Sequence, residues 1–456
     1  MTQREARPWG LRRALLWAVF GMALLLALCI GIVQLTVNSS FDRAVARYRA
    51  AGMPWTADEV ILNKVPADKD AGPRLFALAA KFKAKEPSWL LQRTGPLTPK
   101  QADELEAFLA PQNKLLDEYR AFAHLDCNWD KDWDEGANLL IPELSPLKAM
   151  TRTLAARMEL RSYRGDIKGS LQDLRLGARL VRQPGRSFLA IGMMVEAASR
   201  SIVIQAAQRS ASLHLSDPEV LKEIASAVED LRPPKDLAGA WRPEAYMGVA
   251  FIRNASWQEL AWVVSGGELG GDQNFQKVEM VRTGGPRSTL ARVMAIPFLK
   301  YWSEYGEQVR ARDSSLDSLL EITQIIDAKA AKRTGLNERF LELFSFELHR
   351  IVEGAIKSEA DFRNLLAALR LAELRAGKGS VTQTELANLL PEDPFTHQPM
   401  KAELKGGAIK LWSLGPDKTD QGGISRQATS GGPYDLPISL PWKSLVKRIP
   451  YAAEER

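Results

Sequence analysis

Residues 14–37, ALLWAVFGMALLLALCIGIVQLTV, contain no charged side chain. A helix over this stretch is about 36 Å long, enough to cross a hydrocarbon layer of about 30 Å with some tilt. Gln34 and Thr36 are its clearly polar members, and both sit at the downstream end. Arg4, Arg7, Arg12 and Arg13 precede it, opposed by Glu5. Positive charge stays on the cytoplasmic side of a membrane, so the N-terminus is expected in the cytoplasm and the chain from Asn38 onward outside it. Trp17 falls near the cytoplasmic interface, where an amphipathic ring is favoured.

Three rival readings of this stretch fit less well. A cleaved signal peptide has a shorter apolar core and a small-x-small exit, whereas this exit reads TVNSSFDRA. A lipoprotein signal needs a small residue before its cysteine, and Cys29 follows Leu28. A type IV prepilin carries glycine, then an apolar run with glutamate at its fifth position. Gly10 is followed instead by Leu11, Arg12, Arg13, Ala14 and Leu15. The expectation is a retained signal-anchor in the inner (cytoplasmic) membrane, single-pass, with lipid bilayer as the partner of residues 14–37.

Half of the +6 net charge lies in the 13 residues before the anchor. The remainder is nearly balanced and offers no electrostatic case for nucleic acid. Of the two cysteines, Cys29 is in the apolar stretch and Cys127 stands alone after it. No intrachain disulfide can therefore form within the part beyond the anchor, which must be held by packing. Four widely spaced histidines argue against a histidine-rich metal centre. The 456 residues leave room beyond the anchor for two or three domains.

Helical periodicity dominates that part. Phe41, Val45 and Tyr48 continue the anchor helix, and Pro54 ends it. Residues 74–85 read as a short amphipathic helix. Thr98 and Pro99 open another that runs to Leu125 and is kinked or split by Pro111. Its apolar stripe is Leu105, Phe108, Leu109, Leu115, Leu116, Tyr119 and Phe122. Ser145-Pro146 starts a helix with Leu147, Met150, Leu154 and Met158 on one face. Arg164-Gly165-Asp166 turns it into a return helix carrying Ile167, Leu171, Leu174, Ala178 and Val181, which predicts an αα-hairpin. The RGD triplet is read as that turn, not as an adhesion signal.

Residues 187–208 are apolar on nearly all sides and predict a buried central helix, with Met193 and Met194 as core filling. Ser216 and Glu219 read as a capping box before a helix that Pro233-Pro234 stops. Helix is expected again over 235–264, over 288–332 with a kink at Pro297, and over 337–357 and 359–376, the last ended by Gly377. Residues 265–287, with six glycines at 266, 267, 270, 271, 284 and 285, read as a mobile loop. The GGELGG run lacks the Lys-Ser/Thr of a nucleotide loop. β structure is expected late. Thr382 and Glu385 cap a short helix, residues 400–404 and 408–414 flank the turn Lys405-Gly406-Gly407, and 435–440 is a candidate third strand that Pro437 marks as an edge or as irregular.

No GxSxG, HExxH, Walker or paired-cysteine motif occurs. In CNWDKDWDE, Asp130, Asp132 and Asp134 alternate like the first ligands of an EF-hand, but glycine comes one place late, at Gly136, and Ile141 stands where the bidentate glutamate belongs. Trp129 and Trp133 are expected to pack back on the helices rather than face a sugar. His349 and Glu353 share a helix face without a third ligand, Asp103 and Glu106 sit on an amphipathic helix, and His124 precedes Cys127 without the surroundings of a cysteine nucleophile.

Two stretches carry a resemblance. AARMELRSYRGDIKGSLQDLRLGARL resembles a helical-repeat pattern of membrane-anchored bacterial envelope proteins. Asp393, Pro394, Phe395 and Pro399 match a DPF-x-x-x-P signature. Ser413, Gly415, Pro416, Asp417, Asp420, Gly422 and Gly423 match most of YS-x-GPDG-x-DDGG. Together these resemble the C-terminal module of the type II secretion major pseudopilin, over about residues 359–441. In pseudopilins this loop holds calcium through aspartates and backbone oxygens, which makes Asp417 and Asp420 the calcium candidates in this chain. The alternative is an Asp-Gly turn in which each carboxylate binds local amides. The missing prepilin site implies that the chain is not cut and polymerised.

The expected fold is mainly α. A basic tail (1–13) and transmembrane helix (14–37) lead into a helical stalk and linker (38–142). A large α-helical hairpin domain (143–376) and a small antiparallel β module with its tail (377–456) follow. The expected function is a membrane-anchored extracytoplasmic scaffold or interaction protein of the bacterial envelope, with an unidentified envelope protein as partner and no catalysis. The alternatives are an envelope hydrolase acting on peptidoglycan or glycans and an accessory component of a secretion system.

Overall fold

The computed structural model describes residues 9–441 apart from 62–64, 83–85, 94, 130, 188, 235–236, 238, 240, 255–288, 313–314, 331–347 and 426–433. The expected loop at 265–287 lies outside the described residues. The helices are α1 (Trp9–Ala50), α2 (Gly72–Ala79), α3 (Ser88–Gln92), α4 (Pro99–Leu109), α5 (Asn113–Arg120), α6 (Leu144–Tyr163), α7 (Ile167–Leu180), α8 (Ala190–Ser212), α9 (Pro218–Val228), α10 (Arg242–Asn254), α11 (Thr289–Ala311), α12 (Leu316–Ala330), α13 (Leu348–Lys378) and α14 (Gln383–Leu389). Strands β1 (Lys401–Lys405), β2 (Ala408–Ser413) and β3 (Leu436–Leu440) follow. The protein is mainly helical, with one small antiparallel sheet in the order β1-β2-β3.

α1 is long and apolar enough to cross a membrane, and its apolar window is unburied. The same helix then changes character without a break. Phe41, Ala44 and Tyr48 fall on one face at helical spacing and are buried, as is Ala51 just past the helix end. That face packs along α11. Asn38 accepts from Arg292, Arg47 binds Glu307 through two bonds of 2.7 and 2.6 Å, and the Ala50 carbonyl accepts from Arg310. The pairs occur in the same order on both helices, so α1 and α11 run parallel. A Cβ at Gly306 would lie 2.5 Å from the Ala51 carbonyl oxygen, so glycine permits this close approach.

Four apolar cores result among the described residues. The first joins the end of α1 to α10, α11, α12 and the first half of α13, around Trp241, Tyr246, Phe298, Trp302 and Tyr305. The second joins α6–α9, the second half of α13 and the sheet. Smaller cores lie between α2, α5, α6 and α7, and between α4 and α6. α13, with 31 residues, runs through both large cores. It presents Ile351, Val352, Ile356 and Ala360 to one, then Phe362, Leu365 and Leu369 to the other. The buried Arg157 guanidinium grips the buried Asp173 carboxylate at 2.7 and 2.9 Å, tying α6 to α7.

Several local expectations hold. Thr98 caps α4 with Pro99 at its first position, and a 3-10 turn at Ala110–Gln112 splits α4 from α5 around Pro111. Thr382 caps α14 reciprocally with Glu385. Lys405 pairs with Ala408, and Gly406 (φ 55°) and Gly407 (φ 80°) make the two-residue turn between them, which needs positive φ at both positions. Pro437 lies in β3, an edge strand paired with β2.

Other expectations need correction. α6 opens at Leu144 with Glu143 in the cap position, one turn residue before Ser145-Pro146. Asp217, not Ser216, caps α9, because Pro218 takes the first helical position and the Asp217 side chain accepts from the Val220 amide at 3.1 Å. α8 is not buried all round: Ile191 and Met194 are 47% and 57% exposed, while Met193 packs on the first core. The helices expected over 337–357 and 359–376 are one helix from Leu348, and residues 337–347 lie outside the described residues. That helix runs through Gly377 to Lys378. Gly379 (φ 82°) terminates it by donating its N–H to the Arg375 carbonyl at 2.7 Å.

Candidate functional site

The C-terminal module is organised by three aspartates, of which two, Asp393 and Asp420, fall in the sequence signatures and one, Asp420, was a site candidate. Asp393, 1% exposed, accepts from the Phe395 amide and the Ser413 hydroxyl at 2.9 Å each, and from the Leu414 amide at 2.8 Å. It thereby clamps the DPF turn onto the end of β2. Asp435, also 1% exposed, gathers the amides of Gln421, Gly423 and Ile424 on Oδ2 at 3.0, 2.7 and 3.3 Å. Its Oδ1 is buried and accepts no hydrogen bond among the described residues. Asp420 accepts from the Trp412 indole at 3.0 Å and the Gly422 amide at 2.9 Å. The Gly422 amide is the main cause of a carboxyl held below its usual range.

The calcium candidates Asp417 and Asp420 both belong to this loop, on its exposed side. Asp417 accepts from the Thr419 amide at 3.0 Å and the Gln421 side chain at 3.2 Å. Each candidate thus spends an oxygen on local amides, as an Asp-Gly turn requires. Lys410 reaches into the same loop, donates to the Gly422 carbonyl at 2.7 Å and lies 5.2 Å over the Trp412 ring. A cation of the protein's own is therefore already seated beside Asp420. Among the described residues, no group of three or more His, Cys, Asp or Glu side chains is placed to hold a metal ion. The clamping roles of Asp393 and Asp435 were hidden in the sequence because their partners are mostly backbone amides brought in by the fold. The DPF signature was the available signal for Asp393.

The remaining sequence candidates are dispersed. His349 Nδ1 lies 2.8 Å from Asp327, while Glu353 pairs with Lys357 at 2.6 Å, so His349 and Glu353 do not act as a pair. Asp103 and Glu106 both accept from the exposed Arg164 at 2.6 and 2.9 Å. Trp129 and Trp133 are buried, and the Trp129 indole donates to the Gln183 carbonyl at 2.7 Å. Asp132 caps the 3-10 turn at Trp133–Asn138, Asp134 accepts from the Tyr246 hydroxyl, and Asp130 lies outside the described residues. Cys127 is buried, and burial pushes its thiol up to about 12, far from thiolate reactivity. His124 is exposed.

Two constellations appear only in three dimensions. The first is Ser162 Oγ, 3.0 Å from His214 Nε2. Ser162 is 3% exposed, and the nearby Asp217 carboxylate is spent on capping α9, so the pair ties α6 to the turn between α8 and α9 without an accessible nucleophile. The second is a pocket of about 250 Å³ between the end of α9, α13 and α14. Phe362, Leu366 and Leu389 form apolar walls, and Arg232, Arg363 and Arg370 line it with guanidinium groups. Arg232 lies 5.1 Å over the Phe362 ring. Arg232 and Arg370 share one carboxylate, Glu229, at 2.7 and 2.8 Å, and Arg363 binds Glu359 at 2.6 Å. A smaller pocket of about 100 Å³ lies beside Glu159 and Arg209. Among the described residues, neither pocket is lined by two carboxylates.

No known protein family, curated protein or solved structure matches the chain.

Proposed function

We propose that this is a single-pass envelope protein, anchored in the inner membrane with its N-terminus in the cytoplasm, whose helical extracytoplasmic domain binds a partner protein and performs no catalysis. The observation that carries this reading is the continuity of α1. One helix of 42 residues supplies the apolar stretch and then the buried seam against α11. With no linker between span and core, such a helix would hold the domain in a set orientation over the membrane and present its surfaces to neighbours in the same plane.

The pockets support binding over hydrolysis. Glycoside hydrolysis needs two carboxylates about 5–10 Å apart in a cleft, whereas the larger of these pockets is lined by arginine and apolar groups. On this reading the loop around Asp417 and Asp420 is a structural turn, with calcium dispensable for folding. The pseudopilin-like motifs are the support for a role beside a secretion system. No observation on the helical block favours that role.

The test is photocrosslinking in intact cells with the full chain, placing the crosslinker at exposed positions of the helical domain. A discrete protein adduct is expected. Absence of any adduct from every exposed face would remove the reading. Topology is tested in the same cells with a membrane-impermeant maleimide, which should label a cysteine introduced at Leu213 and not one introduced at Gln3.

A further inference from the structure

We infer that the arginine-lined pocket between α9, α13 and α14 is the docking site for an acidic, leucine-containing segment of the partner protein. This rests on the binding function proposed above and names the surface that performs it.

Charge complementarity sets the chemistry of the occupant. Three guanidiniums meet two carboxylates, and Glu229 is divided between Arg232 and Arg370. Each guanidinium has five N–H donors in a planar fork. Each spends one of them on Glu229, and the Arg232 and Arg370 side chains remain 47% and 51% exposed. Glu229 also holds the two forks in place, so an incoming carboxylate finds donors already oriented. The cation–π contact with Phe362 helps to hold the Arg232 guanidinium against the apolar wall.

Size and position narrow the occupant further. About 250 Å³ is below the range of drug-sized ligand pockets but takes an apolar side chain with a neighbouring carboxylate. Leu366 and Leu389 supply the apolar contact, backed by the buried Phe362. The pocket belongs to the second core through Phe362 and Leu366, whereas α1 belongs to the first, so its walls are built apart from the membrane-spanning helix.

The experiment uses the full chain in phosphatidylcholine nanodiscs and fluorescein-labelled short peptides read by anisotropy. One peptide alternates Leu and Glu, one Leu and Gln, and one Ser and Glu. The Leu/Glu peptide should bind, the other two about ten-fold more weakly or worse, with salt weakening the first. The double variant Arg232→Ala/Arg370→Ala should lose about ten-fold, as should Leu389→Glu, which leaves the arginines intact and sets a carboxylate against them. Circular dichroism identifies any variant that has lost its fold. Equal binding of all three peptides, or folded variants that bind as well as the parent, would overturn the inference. Displacement of the peptide by phosphatidylglycerol vesicles would also overturn it, in favour of a lipid headgroup. If no peptide binds while cells still show a partner adduct elsewhere on the domain, only this assignment fails. If the peptide binds and cells show no adduct, the scaffold reading fails and the pocket stands.

Discussion

Glu244 offers the sharpest test of how the first core is built. It lies in α10, 3% exposed, and its Oε1 accepts the amide of Ala190 in the first turn of α8 at 2.6 Å. One amide cannot replace the water lost from a carboxylate, and burial pushes its pKa up from 4.5 to about 7. The folded state therefore holds the proton more tightly than the unfolded chain. The resulting stability is fully present below about pH 4.5 and is lost as pH rises through about 7. A shift of that size corresponds to about 3 kcal/mol, an order-of-magnitude figure. Glu244→Gln keeps the shape and the acceptor but removes the titration. Urea unfolding of both chains in detergent micelles across this range should give curves that nearly coincide at acid pH. By about pH 8.5 they should separate, with the variant more stable by about 2–3 kcal/mol. Asp361 on α13 is also pushed up to about 7 by burial, so the parent alone shows a steeper slope, but the difference between the two chains isolates Glu244. A difference that stays constant with pH would refute the argument.

The other expectations concern packing, capping and the loop. Gly306→Val should cost about 2–3 kcal/mol, read by the same unfolding assay, because its Cβ would meet the Ala51 backbone and part α1 from α11. Asp393→Ala should cost about 2–4 kcal/mol and unfold the C-terminal module first in hydrogen exchange, since two buried donors and one part-buried donor lose their acceptor together. Cys127 should resist a maleimide at neutral pH in the folded chain and react on unfolding, given a thiol pushed up to about 12. A chelator should leave the melting temperature unchanged. A rise of several degrees with about 1 mM calcium, abolished by Asp435→Asn, would instead place a cation at the orphaned Asp435 oxygen.

Legibility in the sequence followed the range of the interaction. Thr98-Pro99, Thr382 with Glu385, and Gly406-Gly407 act within four residues, and each does in the structure what its local chemistry demands. Misreadings came where two local signals competed. Ser216 and Asp217 both suit a cap, and Pro218 decides for Asp217 because it must sit at the first helical position. Gly377 and Gly379 both suit a helix stop. The turn forms at Gly379, the one with positive φ. The all-round apolar character of α8 indicated burial, yet Met194 is exposed, because composition does not say how many faces neighbours will cover.

The sequence by itself determined the long apolar helix, the mainly helical class and the late antiparallel hairpin, since uninterrupted hydrophobicity, period and turn residues are properties of neighbours along the chain. Only the tertiary structure decided that α1 continues into the first core along α11, that Glu244 is buried on a single amide, and that Arg232 meets Arg363 and Arg370. Those groups come from elements far apart in sequence. What brings them together is the requirement that each helix bury its apolar stripe, which carries the polar groups at its edges into contacts that no local pattern specifies.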